Sequence, residues 1–173
     1  MPGRKTVERA RADRRHGKAA STRAGNFVKE EMDHIRDGKH GAKNTKQSIA
    51  IGLSKARRAG VGVKPPAQGK ASAAARKKAE HDAKTGSEPD SHASACKQST
   101  SRHSRTTTRT LKPEGHAAAS KSSLSRQARS ATSKRSPSER SAAAKKGAAT
   151  KGAAGRSAAA KKAARTRAAH HAR

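Results

Sequence analysis

One cysteine, nine histidines and 42 lysines and arginines are the side chains with chemistry to offer. Cys96 could be a thiol nucleophile or half of a disulfide. It is the sole cysteine, so it forms no internal bridge. No folded pocket is expected around it to lower its pKa or hold a base beside it. The histidines could be metal ligands. His81, His92 and His103 recur every eleven residues, and His170 and His171 are adjacent. These spacings match no zinc pattern, and one thiol supplies no thiolate cluster. Gly60-Val61-Gly62 follows no strand, so it is no phosphate loop. The expectation is a chain without catalysis, metal, cofactor or small-molecule substrate.

The basic residues remain. Against 12 acidic groups they leave a net charge of +30. Such a chain attracts polyanions. Aromatic side chains that would stack on bases are missing except for Phe27, so contact should be with phosphates and carry no sequence readout. Past Glu139 no acidic residue follows. Lys145, Lys146, Lys151, Arg156, Lys161, Lys162, Arg165 and Arg167 occupy that stretch and are the expected nucleic-acid-binding residues. Lysines and arginines spaced by alanine suit neutralisation and condensation of a duplex; the charge does not distinguish DNA from RNA, and DNA is the expected partner ahead of RNA.

The elements that position these groups are sparse in apolar content. Hydrophobic residues make up 30% of the chain, but 38 of them are Ala. Leu, Ile, Val and Phe number 11, far below the roughly 20% under which a highly charged chain is expected to be disordered. No apolar run approaches the roughly 18 residues of a membrane span. Met1-Pro2-Gly3-Arg4-Lys5 leads into charge and not into an apolar signal core. The expected compartment is the cytoplasm, with nucleoid association.

The chain divides near residue 63, before Pro65-Pro66. Residues 1–63 hold nearly all the larger apolar side chains, with 16 basic and 6 acidic groups. Residues 64–173 hold only Leu111 and Leu124, with 26 basic and 6 acidic groups. The expected fold class follows. It is a mostly disordered chain, with a small all-α helical hairpin at about 22–59 and an Ala/Lys-rich tail of nascent helices.

The hairpin is read from periodicity. Ala24, Phe27, Val28, Met32 and Ile35 share one apolar arc of about 140°. Glu31 sits inside that arc, about 40° from Phe27. Ser21 or Thr22 can cap the helix and Gly38 can close it. A second helix is expected from Thr45 as N-cap to Ala59, with Gly60 as the stop. Its stripe is Ile49, Leu53 and Ala56, and Gly52 with Ala56 allows close approach of another helix. Ile51 points away from the stripe. It is either a lone exposed side chain or a second contact surface. The stripe is too small to be secure alone, so the hairpin is expected to self-associate as a homodimer or to dock on a partner.

In the tail, Ser141-Ala-Ala-Ala-Lys-Lys146 recurs as Ser157-Ala-Ala-Ala-Lys-Lys162. Ser136-Pro137-Ser138-Glu139 carries the signals of a capping box. Nascent helices are expected at about 72–84, 137–146 and 157–169, and coil over 85–135. The tail resembles the Ala/Lys-rich C-terminal tails of linker histones and of bacterial histone-like proteins. The head, through Lys5-Thr6-Val7-Glu8-Arg9-Ala10, Gly38-Lys39-His40-Gly41 and Thr45–Gly60, is similar to a family of small basic bacterial proteins of unknown function. That resemblance implies no reaction and no site residues. The functional expectation is a non-enzymatic, histone-like protein that binds DNA without sequence preference through its tail. The alternatives are a protein-interaction module whose hairpin docks a partner with the tail as a solubilising spacer, and an RNA- or ribosome-associated protein.

Overall fold

The computed structural model describes residues 2–69, 71–87, 105–106 and 109–171. Of the described residues, 76% are helical. Its described α-helices are α1 (Arg4–Arg15), α2 (Ala20–Arg36), α3 (Thr45–Arg58), α4 (Ala73–Ser87), α5 (Lys121–Ser133) and α6 (Pro137–His171), with a 3-10 turn at Ala117–Ala119 before α5. The expectation of a mostly disordered chain is therefore corrected. Its physical basis is a count of large apolar side chains, and that count leaves out alanine. Among the described residues, seven of the twelve buried apolar ones are alanines: Ala10, Ala24, Ala42, Ala56, Ala79, Ala118 and Ala119. Alanine is the strongest helix former, and its small side chain lets helices approach closely. Here it both forms the helices and lines the contacts between them.

Two compact units divide the chain, Met1–Gln127 and Ala128–Arg173. The first is built on the expected antiparallel hairpin. Helix α2 packs along α3, with α1 on α2 and α4 on α3. One core cluster joins Ala10, Ala24, Phe27, Ala56 and Val61, with Val7, Leu53 and Val63 packed against it. A second joins Met32, Ile35, Ala42, Ala118 and Ala119, with Val28, Ile49 and Leu124 around it. The hairpin stripe is thus covered within the chain, by α1 at one end and by residues 111–124 at the other. This removes the argument that the stripe needs a second copy to cover it.

Residues 111–119 belt the hairpin elbow. Gly41 N–H donates to the Leu111 carbonyl at 2.9 Å and Ala42 N–H to the Gly115 carbonyl at 3.1 Å. Thr45 Oγ1 donates to the Ala118 carbonyl at 2.7 Å, and Arg36 Nε to the Ala119 carbonyl at 3.0 Å. Gly41 is required by proximity, since a Cβ there would overlap the Glu114 carbonyl oxygen. The segment expected to be coil over 85–135 therefore contains this belt and helix α5.

Several end signals hold. Gly38 and Gly60 take positive φ, 73° and 76°, and close α2 and α3. At the start of α6, Ser136 Oγ accepts from Glu139 N–H and Glu139 Oε2 accepts from Ser136 N–H, which completes the capping box. Two caps differ from expectation. Asn44 caps α3 by accepting from Gln47 N–H at 2.9 Å, which frees Thr45 for the belt. Helix α2 starts from Ala19, without a side-chain cap.

Two helical glycines make opposite predictions. Each replaced by alanine gains up to about 1 kcal/mol of helix propensity. At Gly25 a Cβ meets nothing within 4 Å, whereas at Gly52 it would lie 2.7 Å from Val28 Cα. Gly25→Ala is expected to stabilise the first unit by about 0.5–1 kcal/mol. Gly52→Ala is expected to destabilise it by about 1–3 kcal/mol, because α2 and α3 must separate. Thermal melts of the two variants, followed by amide resonances of the first unit, check the opposite signs.

A buried acid ties α1 to α2. Asp13 accepts from Lys18 Nζ at 2.7 Å and from Asn26 Nδ2 at 2.8 Å. Those hydrogen bonds, Lys18 first, hold its carboxyl below the usual carboxylate range. A depressed folded-state pKa adds stability that is present above the unfolded value and lost as pH falls through the folded one. Docking of α1 is therefore expected to weaken below about pH 4. Amide exchange in α1 across that window checks it, and Asp13→Asn should flatten the response.

Candidate functional site

The second unit carries the expected nucleic-acid-binding residues. All eight, Lys145, Lys146, Lys151, Arg156, Lys161, Lys162, Arg165 and Arg167, are exposed and lie on α6. Helix α6 is two helical runs joined at Gly152, whose φ of 65° and ψ of 176° break the helical path. Only glycine adopts such a conformation without strain. The two runs repeat each other. Arg140, Lys145, Lys146 and Lys151 on the first recur sixteen residues later as Arg156, Lys161, Lys162 and Arg167. The same sets of turns therefore present the same charges twice. Arg156 also closes the kink, with Nη1 donating to the Ala148 carbonyl at 2.8 Å. The expected break between the nascent helices at 147–156 is thus narrower, confined to Gly152.

Phe27 is fully buried, so it is not available to stack on a base. Met32, Ile35 and Ala56 are buried, and Val28, Ile49 and Leu53 are partly buried and packed against the two clusters. Ile51 is partly buried.

A second set of chemically able side chains meets at the hairpin elbow. The Glu31 side chain is wholly buried, with Oε2 accepting from Lys55 Nζ at 2.5 Å. Its Oε1 lies 3.2 Å from His40 Nε2. The other nitrogen of that ring, Nδ1, is 3.1 Å from the Gly41 carbonyl oxygen. His34 stands edge-on to His40, with ring centroids 6.3 Å apart. Burial pushes the His34 imidazole below its ordinary pKa, and Lys39 and Lys55 act in the same direction.

No family model, curated protein or solved structure matches this chain. The geometry therefore carries the reading alone.

Regular histidine spacing does not lead to the elbow cluster. His81 lies on α4, and His92, His103 and Cys96 lie outside the described residues. The signal that does lead there is Glu31 inside the apolar arc. A carboxylate on the buried face of a helix requires a partner, and the neighbouring basic side chains of the elbow are the candidates. Among the described residues, no helix is long and apolar enough to cross a membrane.

Proposed function

We propose that this chain is a non-enzymatic, histone-like nucleic-acid-binding protein. Its helical arm, residues 137–171, neutralises duplex phosphates. One observation carries the reading: nine lysines and arginines, Arg140 and the eight named above, all exposed, follow Glu139 on two helical runs with a repeated charge pattern. Alanine fills most other positions of the repeat, so either run can lie against a phosphate backbone without a bulky side chain in the way.

The arm holds no group suited to reading base edges in the major groove by bidentate carboxamide contacts, and the one aromatic ring is buried in the first unit. Binding should therefore follow backbone charge. Double-stranded DNA of the nucleoid is the partner we favour. RNA shares the phosphate chemistry, and it is the competing outcome of the test.

The test is a binding titration of the full chain against two unrelated DNA duplexes and one RNA duplex of equal length. The expected result is nearly equal affinity for the two DNA duplexes, with RNA weaker. A strong preference for one DNA sequence would overturn the reading. Tighter binding to RNA would move the partner and keep the mechanism.

A further inference from the structure

The polar cluster at the elbow of the hairpin belongs to the first unit, and its donor atoms converge. Glu31 Oε1 is buried and has no hydrogen-bond partner. His40 Nε2 faces it at 3.2 Å, yet the approach is not that of a hydrogen bond. The other nitrogen of that ring, Nδ1, contacts the Gly41 carbonyl. A carbonyl oxygen only accepts, so Nδ1 is the donor in that contact, and Nε2 is the ring nitrogen placed to share a cation with Oε1. The two atoms stand 3.2 Å apart in a buried place, where one cation can bind both.

A third donor selects the kind of cation. His34, Glu31 and His40 each offer one ligand atom, and these atoms all lie within 4.8 Å of one another. A proton needs two partners, whereas a tetrahedral metal collects more. Ligand atoms on a zinc ion at about 2.0–2.1 Å stand about 3.3 Å apart, close to the spacing of Oε1 and Nε2. The supporting contacts also fit. Metal-bound histidine commonly donates its other N–H to a backbone carbonyl, and metal-bound carboxylates are themselves hydrogen-bonded. Gly41 and Lys55 fill those two roles here.

We propose that Glu31, His34 and His40 form a binding site for a divalent transition-metal ion of the zinc class, with two nitrogen ligands, one carboxylate oxygen and a fourth position left for water. The ion links the body of α2 to the elbow. It enters from the histidine side, where the His34 side chain is 23% exposed and that of His40 14%, against 0% for Glu31. The belt of residues 111–119 fixes Gly41 and so fixes the His40 ring.

Cobalt(II) serves as the spectroscopic probe and zinc as its competitor, both added to the full-length chain. The expected result is one cobalt ion per chain at saturation, with the intense visible bands of four-coordinate cobalt, displaced by zinc. Glu31→Gln and His40→Ala should each lower cobalt affinity at least about 10-fold. A variant lacking the adjacent His170 and His171 should bind like the parent. Because a buried substitution can disturb folding, the parent protein is also read directly by imidazole ¹⁵N shifts. Zinc should move His40 Nε2 and one nitrogen of His34 while His40 Nδ1 keeps its proton. If stoichiometric zinc shifts only histidines outside the cluster, the proposal falls. It falls equally if His40 shows both nitrogens protonated in the presence of zinc, for then a proton alone bridges to Glu31.

Discussion

Raising the salt concentration from about 50 to about 200 mM should weaken duplex binding by roughly 10³–10⁵-fold, if the arm neutralises about 6–10 phosphates. The reason is counterion release. Each lysine or arginine that meets a phosphate frees an ion condensed on the duplex, and added salt opposes that release. A variant of the full chain with Lys145, Lys146, Lys161 and Lys162 replaced by glutamine keeps good helix formers at exposed positions. Its salt slope should fall by about 0.9 for each phosphate that is no longer neutralised. Leu53→Ala, a change at the first unit's core, should leave the slope unchanged. Fluorescence anisotropy of a labelled duplex across a salt series checks all three. A flat response in the parent would remove the phosphate mechanism.

Phe27→Ala should cost about 3–5 kcal/mol of first-unit stability. Phe27 is wholly buried between Ala10, Ala24, Ala56 and Val61. The other buried members of its cluster are three alanines and a valine, short side chains that cannot lean in to fill the space left by a ring. The upper part of the range is therefore expected. Leu124→Ala, at a partly buried position on the rim of the second cluster, should cost less. The chain has no Trp and no Tyr, so denaturant curves must be read by methyl or amide resonances of the first unit. Bulk helicity would mix in the arm, whose residues should unfold independently of these substitutions. Equal costs for the two variants would contradict a core centred on Phe27.

These core positions are legible in the sequence because they rest on periodicity over a single helix. Phe27, Met32 and Ile35 repeat at helical spacing, and Gly38 and Gly60 end the helices by backbone conformation that side chains resist. The capping box at Ser136–Glu139 is legible for the same reason, since both of its hydrogen bonds span three residues. What escapes is nonlocal. Leu111, Gly115, Ala118 and Ala119 give no periodic signal, and their carbonyl groups happen to meet Gly41, Ala42, Thr45 and Arg36. Thr45 reads as the cap that Asn44 in fact makes, because its hydroxyl's true partner lies 73 residues away. The elbow cluster is half legible. Glu31 breaks an otherwise apolar arc, but nothing in the spacing of Glu31, His34 and His40 shows that a loop turns His40 back onto the helix.

The belt has a consequence for the order of folding. The hairpin's own contacts close short loops: Glu31 and Lys55 are 24 residues apart. Thr45 meets Ala118 only after a loop three times as long is closed. Closure entropy grows slowly with loop length, by about 0.6 kcal/mol per doubling, but rates fall as contacts become less local. The hairpin is therefore complete before the belt arrives, and during synthesis it leaves the ribosome well before Leu111 has been added. For that interval Met32, Ile35 and Ala42 face solvent. Where the belt opens, the Leu111 carbonyl that accepts from Gly41 N–H is released with it.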